Sequence, residues 1–127
     1  MIHLNNYGWN DKLSQLRQES TYSALTHGRI SIVHRTCYEV VSENGLFQCE
    51  LTGNMMYGKS DLELPCTGDW VLFQPFDEHK GIIVDMLPRE RTLYRKKNGT
   101  VADKQAIASY VDKAFIVQSL DNNFNVR

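Results

Sequence analysis

Between residues 28 and 88 the chain alternates apolar and polar side chains with a period of two, in runs of strand length. "GRISIVHR" puts Ile30 and Ile32 on one face, "CYEVVSE" puts Tyr38 and Val40 in register, and "LFQCELTG" puts Phe47, Cys49 and Leu51 on one side. The "ENG" at 43–45 joins the second and third runs as a hairpin, because Asn–Gly tolerates the positive φ angles of tight hairpin turns. A less regular stretch runs from Gly53 to Gly68. "GDWVLFQPF" and "GIIVDMLP" then pair around "DEHKG", and Pro88 ends the last strand. Five strands this short must close on themselves or stack in two layers to cover their apolar faces. A three-strand meander, a long connection and a closing pair predict a mainly β chain built on a five-stranded OB barrel. An SH3-like barrel is the rival that strand count alone leaves open.

Ahead of the barrel, residues 4–19 read as one short helix, with Asn10 or Asp11 as its cap, Leu13 and Leu16 on one face and Trp9 nearby. Residues 1–27 are thus a helical extension, 28–88 the barrel and 89–108 a basic linker. "ADKQAIASYVD" has a short helical look, and "DKAFIVQSL" reads as a final apolar strand. Trp70, at a strand start, is expected in the core or at its rim and not as a platform for a base.

The formal net charge is −1, yet its distribution is uneven. Residues 1–88 hold 6 Lys or Arg against 11 Asp or Glu, whereas residues 89–104 hold 6 against 2. A local patch of that sign binds phosphate even in a neutral chain, through salt-sensitive contacts, and a tyrosine within it can stack on a base. Arg89, Arg91, Tyr94, Arg95, Lys96 and Lys97 make up the patch, and Arg29, Arg35 and Lys59 extend it onto the barrel. In an OB fold the loops between strands 1 and 2 and between strands 4 and 5 flank the ligand. The first carries His34, Arg35 and Thr36, and the second carries Asp77, Glu78, His79 and Lys80. The candidate RNA contacts are therefore Arg29, His34, Arg35, Lys59 and the 89–97 cluster. The competing explanation is a solvated linker.

"GNMMYGKS" at 53–60 has the GxxxxGK[ST] spacing, but it falls in the irregular connection within the run of barrel strands and not in the strand–loop–helix setting of a phosphate loop. No GxSxG or HExxH motif occurs, and no catalytic or cofactor-binding residue is assigned in this chain. Cys37, Cys49 and Cys66 are widely spaced and form no CxxC, which predicts reduced, mostly buried thiols and no metal site. No run of about 18 apolar residues is present to form a membrane helix, and the N-terminus lacks the basic-then-apolar pattern of a secretory signal. A cytoplasmic protein is expected.

Four stretches carry a family resemblance. "GRISIVHRTCYEVVSENG" is similar to the opening of the barrel in the bacterial ribosome small-subunit-dependent GTPase A family. "TGDWVLF", followed by "GIIVDMLPRERTLYRK", is similar to that family's central signature and its exit from the barrel. "YVDKAFIVQSLDNNFNVR" resembles the first strand of its GTPase domain, and "YGWNDKL" a short extension found in part of the family. Lys104, Ser109 and Tyr110 depart from the usual pattern. The resemblance implies an OB barrel, then a circularly permuted GTPase domain, then a zinc-binding tail. The nucleotide motifs would then lie beyond Arg127, and residues 109–127 would be the start of a truncated GTPase domain. It further implies GTP, magnesium and zinc for the longer protein, and late maturation of the small ribosomal subunit as its task. The small subunit and its rRNA are the implied partners, with GTP hydrolysis absent from this chain alone. The orphan apolar strand adds an expectation of self-association through residues 113–120. The alternative function is a barrel that binds a protein or another ligand with no RNA role.

Overall fold

The computed structural model describes residues 2–57, 63–96 and 104–112. Five strands form a closed barrel: β1 (Thr26–Val33), β2 (Tyr38–Ser42), β3 (Gly45–Leu51), β4 (Trp70–Pro75) and β5 (Lys80–Met86). Their order around the barrel is β1-β2-β3-β5-β4, and β1 pairs with β4 to close it. All neighbours are antiparallel except β3 and β5, which run parallel with Gln48 opposite Lys80 and Glu50 opposite Ile82. This order decides between the two barrels left open by the sequence. β5 inserts between β3 and β4, which is the Greek-key arrangement of the OB fold and not a continuous meander.

The hairpin at "ENG" forms as expected, with Ser42 paired to Gly45. Within this turn the positive φ falls on Gly45 (119°), a value that disfavours any side chain there. The Ser42 hydroxyl accepts from the Asn44 amide at 3.2 Å and donates to the Gly45 carbonyl at 3.1 Å, which pins the turn.

The alternating pattern produces two apolar clusters. Ile30, Val40, Phe47, Cys49, Val71, Phe73 and Ile83 fill the barrel interior. The short helix α2 (Gly53–Tyr57), in the connection after β3, adds Met55 to them. The opposite face of β4 is buried too: Trp70 and Leu72 join Leu4, Leu13, Val41, Leu87 and Tyr110 in an outer cluster. The lid on this outer face is the N-terminal segment. The single helix expected over 4–19 is instead a 3-10 turn at Leu4–Tyr7 followed by α1 (Asp11–Glu19). The Asn10 side chain accepts from the Leu13 amide at 2.9 Å and starts α1 there. Trp9, between the two, stacks on His27 at 4.0 Å and meets Trp70 edge-on at 5.0 Å.

His27 is expected to make the packing of this lid depend on pH. Burial and the charge of Arg17 hold its imidazole below the ordinary value of 6.5, against a smaller upward pull from Glu43. The unfolded chain therefore takes up the proton first, so this contribution is complete above the unfolded value and lost as pH falls beneath it. The thermal midpoint should drop between about pH 7 and pH 5, and less so in His27→Gln. Equal drops in parent and variant would contradict the assignment.

Residues 104–112 differ from the helical reading of "ADKQAIASYVD". Within the expected linker, β6 (Leu93–Lys96) pairs antiparallel with β7 (Lys104–Ala108) as a second, two-stranded sheet. Ala and Gln favour helix, but that preference is worth only fractions of a kcal/mol per residue, and pairing with β6 together with burial of Ala106 overrides it. The apolar run at 114–117, the proposed GTPase strand and the expected self-association through 113–120 lie outside the described residues.

Candidate RNA-binding surface

The loop between β1 and β2 turns on a hydrogen bond from the His34 amide to the Cys37 carbonyl at 2.8 Å, which projects Arg35 into solvent. Two open grooves flank it. One lies toward the β4–β5 loop and is lined by His34, Cys37, Glu39, Leu46, Phe47, Gln48 and His79. Within it the His34 Nε2 sits 2.6 Å from a Glu39 carboxylate oxygen, and the Gln48 amide nitrogen donates to the Cys37 sulfur at 3.3 Å. The second groove lies between the β1–β2 loop and the small sheet: Val33, His34 and Arg35 form one wall, and Gln105, Ala106 and Ile107 of β7 form the other. Across β7 the register places Tyr94 opposite Ala106, Arg95 opposite Gln105 and Lys96 opposite Lys104. The groove thus sets Arg35 against β7, the strand to which the basic β6 is paired. Tyr94 is about half exposed, and Arg35 has no partner among the described residues.

The remaining candidates divide by environment. Arg29 is half-buried and spends its guanidinium on carbonyl oxygens: Tyr7 at 2.6 Å, Gly68 at 2.9 Å and Tyr110 at 3.2 Å. It also lies 5.7 Å over the Trp70 ring, and burial lowers its pKa from the ordinary arginine value. Arg89 reaches inward to Asp69 with an Nη2–Oδ2 distance of 2.9 Å and also donates to the Leu64 carbonyl. Burial pulls the Arg89 guanidinium down, but hydrogen bonds to Asp69 and its charge more than reverse this. Arg91 pairs with Glu90 at 3.1 Å, reaches Asp112 at 3.6 Å and lies 5.8 Å over the Tyr110 ring. Lys59 and Lys97 lie outside the described residues, and for Arg95 and Lys96 the backbone alone is described.

The residue that sequence reasoning passed over is Asp69. It is fully buried. Its carboxylate accepts from the Cys66 amide at 2.7 Å, from Arg89, and from the Ser109 hydroxyl. The available signal was an aspartate directly ahead of the apolar run "WVLF", since a buried carboxylate requires a cationic partner elsewhere in the chain.

Cys49 and Cys66 are buried free thiols whose pKa burial pushes up to about 12, as expected of inert core cysteines. Among the described residues no group of three or more His, Cys, Asp or Glu side chains is placed to hold a metal ion. The magnesium and zinc implied by the resemblance find no ligand set there. Among the same residues no helix is long and apolar enough to cross a membrane.

No family model matches the chain. The Small ribosomal subunit biogenesis GTPase RsgA 1 of Bacteroides thetaiotaomicron is 70% identical to it over 125 residues, covering 98% of this chain and 35% of that protein. The chain matches the N-terminal part of the RsgA family. RsgA of Leptospira interrogans is 30% identical over 125 residues, again covering 98% of this chain and 34% of the relative. The chain spans about a third of the length of these curated RsgA proteins. Among solved structures, the circularly permuted GTPase YloQ aligns with a TM-score of 0.48 and 18% identity, over 69% of this chain and 29% of that one. The OB assignment rests on the strand order itself.

Proposed function

We propose that this chain is the RNA-binding barrel of a cytoplasmic small-subunit biogenesis GTPase, and that it docks on rRNA of the small ribosomal subunit. The observation that carries the reading is the groove that sets the Arg35 loop against β7, the partner strand of the basic β6. Lys and Arg on one side of a small barrel suit a phosphate backbone, and the exposed Tyr94 suits an unstacked base. Arg35, Arg95 and Lys96 are the phosphate contacts of this proposal, with Lys97 and Lys59 as extensions. Arg29, Arg89 and Arg91 hold the scaffold. His34 answers to Glu39 first and reaches phosphate only when that pair opens.

GTP hydrolysis, with magnesium, belongs in this reading to the remaining two-thirds of such a protein, and zinc to a tail further on. The barrel contributes affinity for the subunit. Its test is co-sedimentation of the chain with purified small and large ribosomal subunits. Retention on small subunits at low salt is expected, and equal retention on both subunits would overturn a small-subunit role. A separate expectation concerns nucleotide. The stretch with phosphate-loop spacing, "GNMMYGKS" at 53–60, has Gly53–Tyr57 wound into α2 and not in an open loop whose backbone N–H groups could cradle phosphates, so fluorescent GDP should give no saturable binding to this chain. A micromolar dissociation constant would contradict that division of labour.

A further inference from the structure

The basic strand is expected from sequence to lie in a linker, yet the hairpin that bears it is tied to the barrel at several points that converge on one buried carboxylate. Ser109, directly after β7, donates through its hydroxyl to Asp69 and through its amide to the Thr67 carbonyl at 2.9 Å. Ala108 forms an isolated parallel bridge with Thr67. Tyr110 is buried in the outer cluster, and its hydroxyl donates to the Pro88 carbonyl. Arg89, just ahead of β6, donates to the same Asp69. Arg29, on β1, donates to the carbonyls of Tyr7, Gly68 and Tyr110, so it joins the N-terminal lid, the barrel and the end of the hairpin. The two ends of the hairpin are therefore both anchored at the start of β4.

We infer that Asp69, with Arg29, Arg89 and Ser109, is a latch that fixes the β6–β7 hairpin against the barrel, so that Arg35 and the basic strand act as one phosphate-binding surface. Asp69 is a positioning residue: it is fully buried and acts through the hairpin it holds. The inference rests on the RNA-binding reading for its consequence, but the latch itself is measurable without RNA. Its logic is one of preorganisation. Cations held in a fixed array bind without the ordering cost that a mobile linker would incur. The same seam gives a way to open the latch from the barrel side. Gly68 has φ of 95°, and a Cβ built on it would lie 2.2 Å from the Ser109 carbonyl oxygen, its three nearest atoms all being Ser109 backbone. A methyl group at that point is a wedge aimed at the hairpin.

The experiment uses the whole chain with Gly68→Ala as the wedge and Ser109→Ala as a milder variant that leaves every barrel side chain in place and removes only the hydroxyl that reaches Asp69. Amide hydrogen exchange is read at Ser109, Tyr110 and Val111 and, as an internal control, at Val71 and Phe73 of β4. In both variants the hairpin amides should exchange at least about tenfold faster, while the barrel amides keep their protection. Binding to small subunits should weaken, and the log–log salt slope should fall by about 0.7–0.9 for each phosphate that the released hairpin no longer meets. A destabilised but otherwise intact barrel would not change that slope. Unchanged hairpin exchange in Ser109→Ala and Gly68→Ala overturns the latch. Released hairpin amides with full affinity and an unchanged slope overturn its positioning role. A parent chain that fails to bind small subunits sinks the RNA reading instead, and the latch then stands or falls on exchange alone.

Discussion

Replacing Asp69 with Ala is expected to cost about 3–5 kcal/mol of stability, since it breaks a buried ion pair from one side only. Arg89, with a side chain only 12% exposed, would lose the Asp69 carboxylate, and the Cys66 amide and Ser109 hydroxyl would lose their acceptor. The penalty is the desolvation of these stranded groups, and not the gross attraction of the pair. That distinction is testable. The double variant Asp69→Leu with Arg89→Met removes the charge and its partner together, and should recover a large share of the loss. Chemical denaturation of the parent, Asp69→Ala and the double variant gives the three numbers. A cost below about 1 kcal/mol for Asp69→Ala would mean that water reaches the site and that the buried network contributes little.

Trp70→Ala should cost a comparable amount, about 3–5 kcal/mol, by a different route. Trp70 is fully buried on the outer face of β4, where it meets Trp9 and the Arg29 guanidinium. Its removal leaves a cavity beneath the lid formed by the 3-10 turn and α1. The loss should therefore fall on the lid first. Limited proteolysis of Trp70→Ala is expected to cut within residues 2–25 before the barrel, and Trp70→Phe should restore most of the protection. Simultaneous cleavage of lid and barrel in Trp70→Ala would contradict the two-cluster description.

The barrel was legible in the sequence because its strands carry their own record of burial. Ile30, Val40, Phe47 and Phe73 alternate with polar neighbours or sit in short apolar runs, and each lands in the interior. The strand order was not legible, since it depends on β5 choosing β3 as a parallel neighbour, a choice that no local pattern encodes. The second sheet was missed for a related reason. "LYRK" and "KQAIA" lack the alternation of a half-buried strand, and pairing plus the bridge to Thr67 makes them one. Among the candidate RNA-binding residues, charge alone could not separate Arg29 and Arg89, which face inward, from Arg35, which faces solvent. What separates them is the partner, and the partners Asp69, Gly68 and Tyr7 are distant in sequence.

The central claim, that Arg35 and the basic strand form one surface for rRNA, is tested most directly by a salt series. Binding of the parent chain and of Arg35→Ala/Arg95→Ala/Lys96→Ala to small ribosomal subunits is measured from low to moderate salt. Each phosphate met by a Lys or Arg contributes about 0.7–0.9 to the log–log slope, so the triple variant should bind more weakly with a slope shallower by about 2–3. A triple variant with the parent's affinity and the parent's slope throughout the series would show that the basic strand and the Arg35 loop are solvated surface, and that the barrel meets its partner elsewhere.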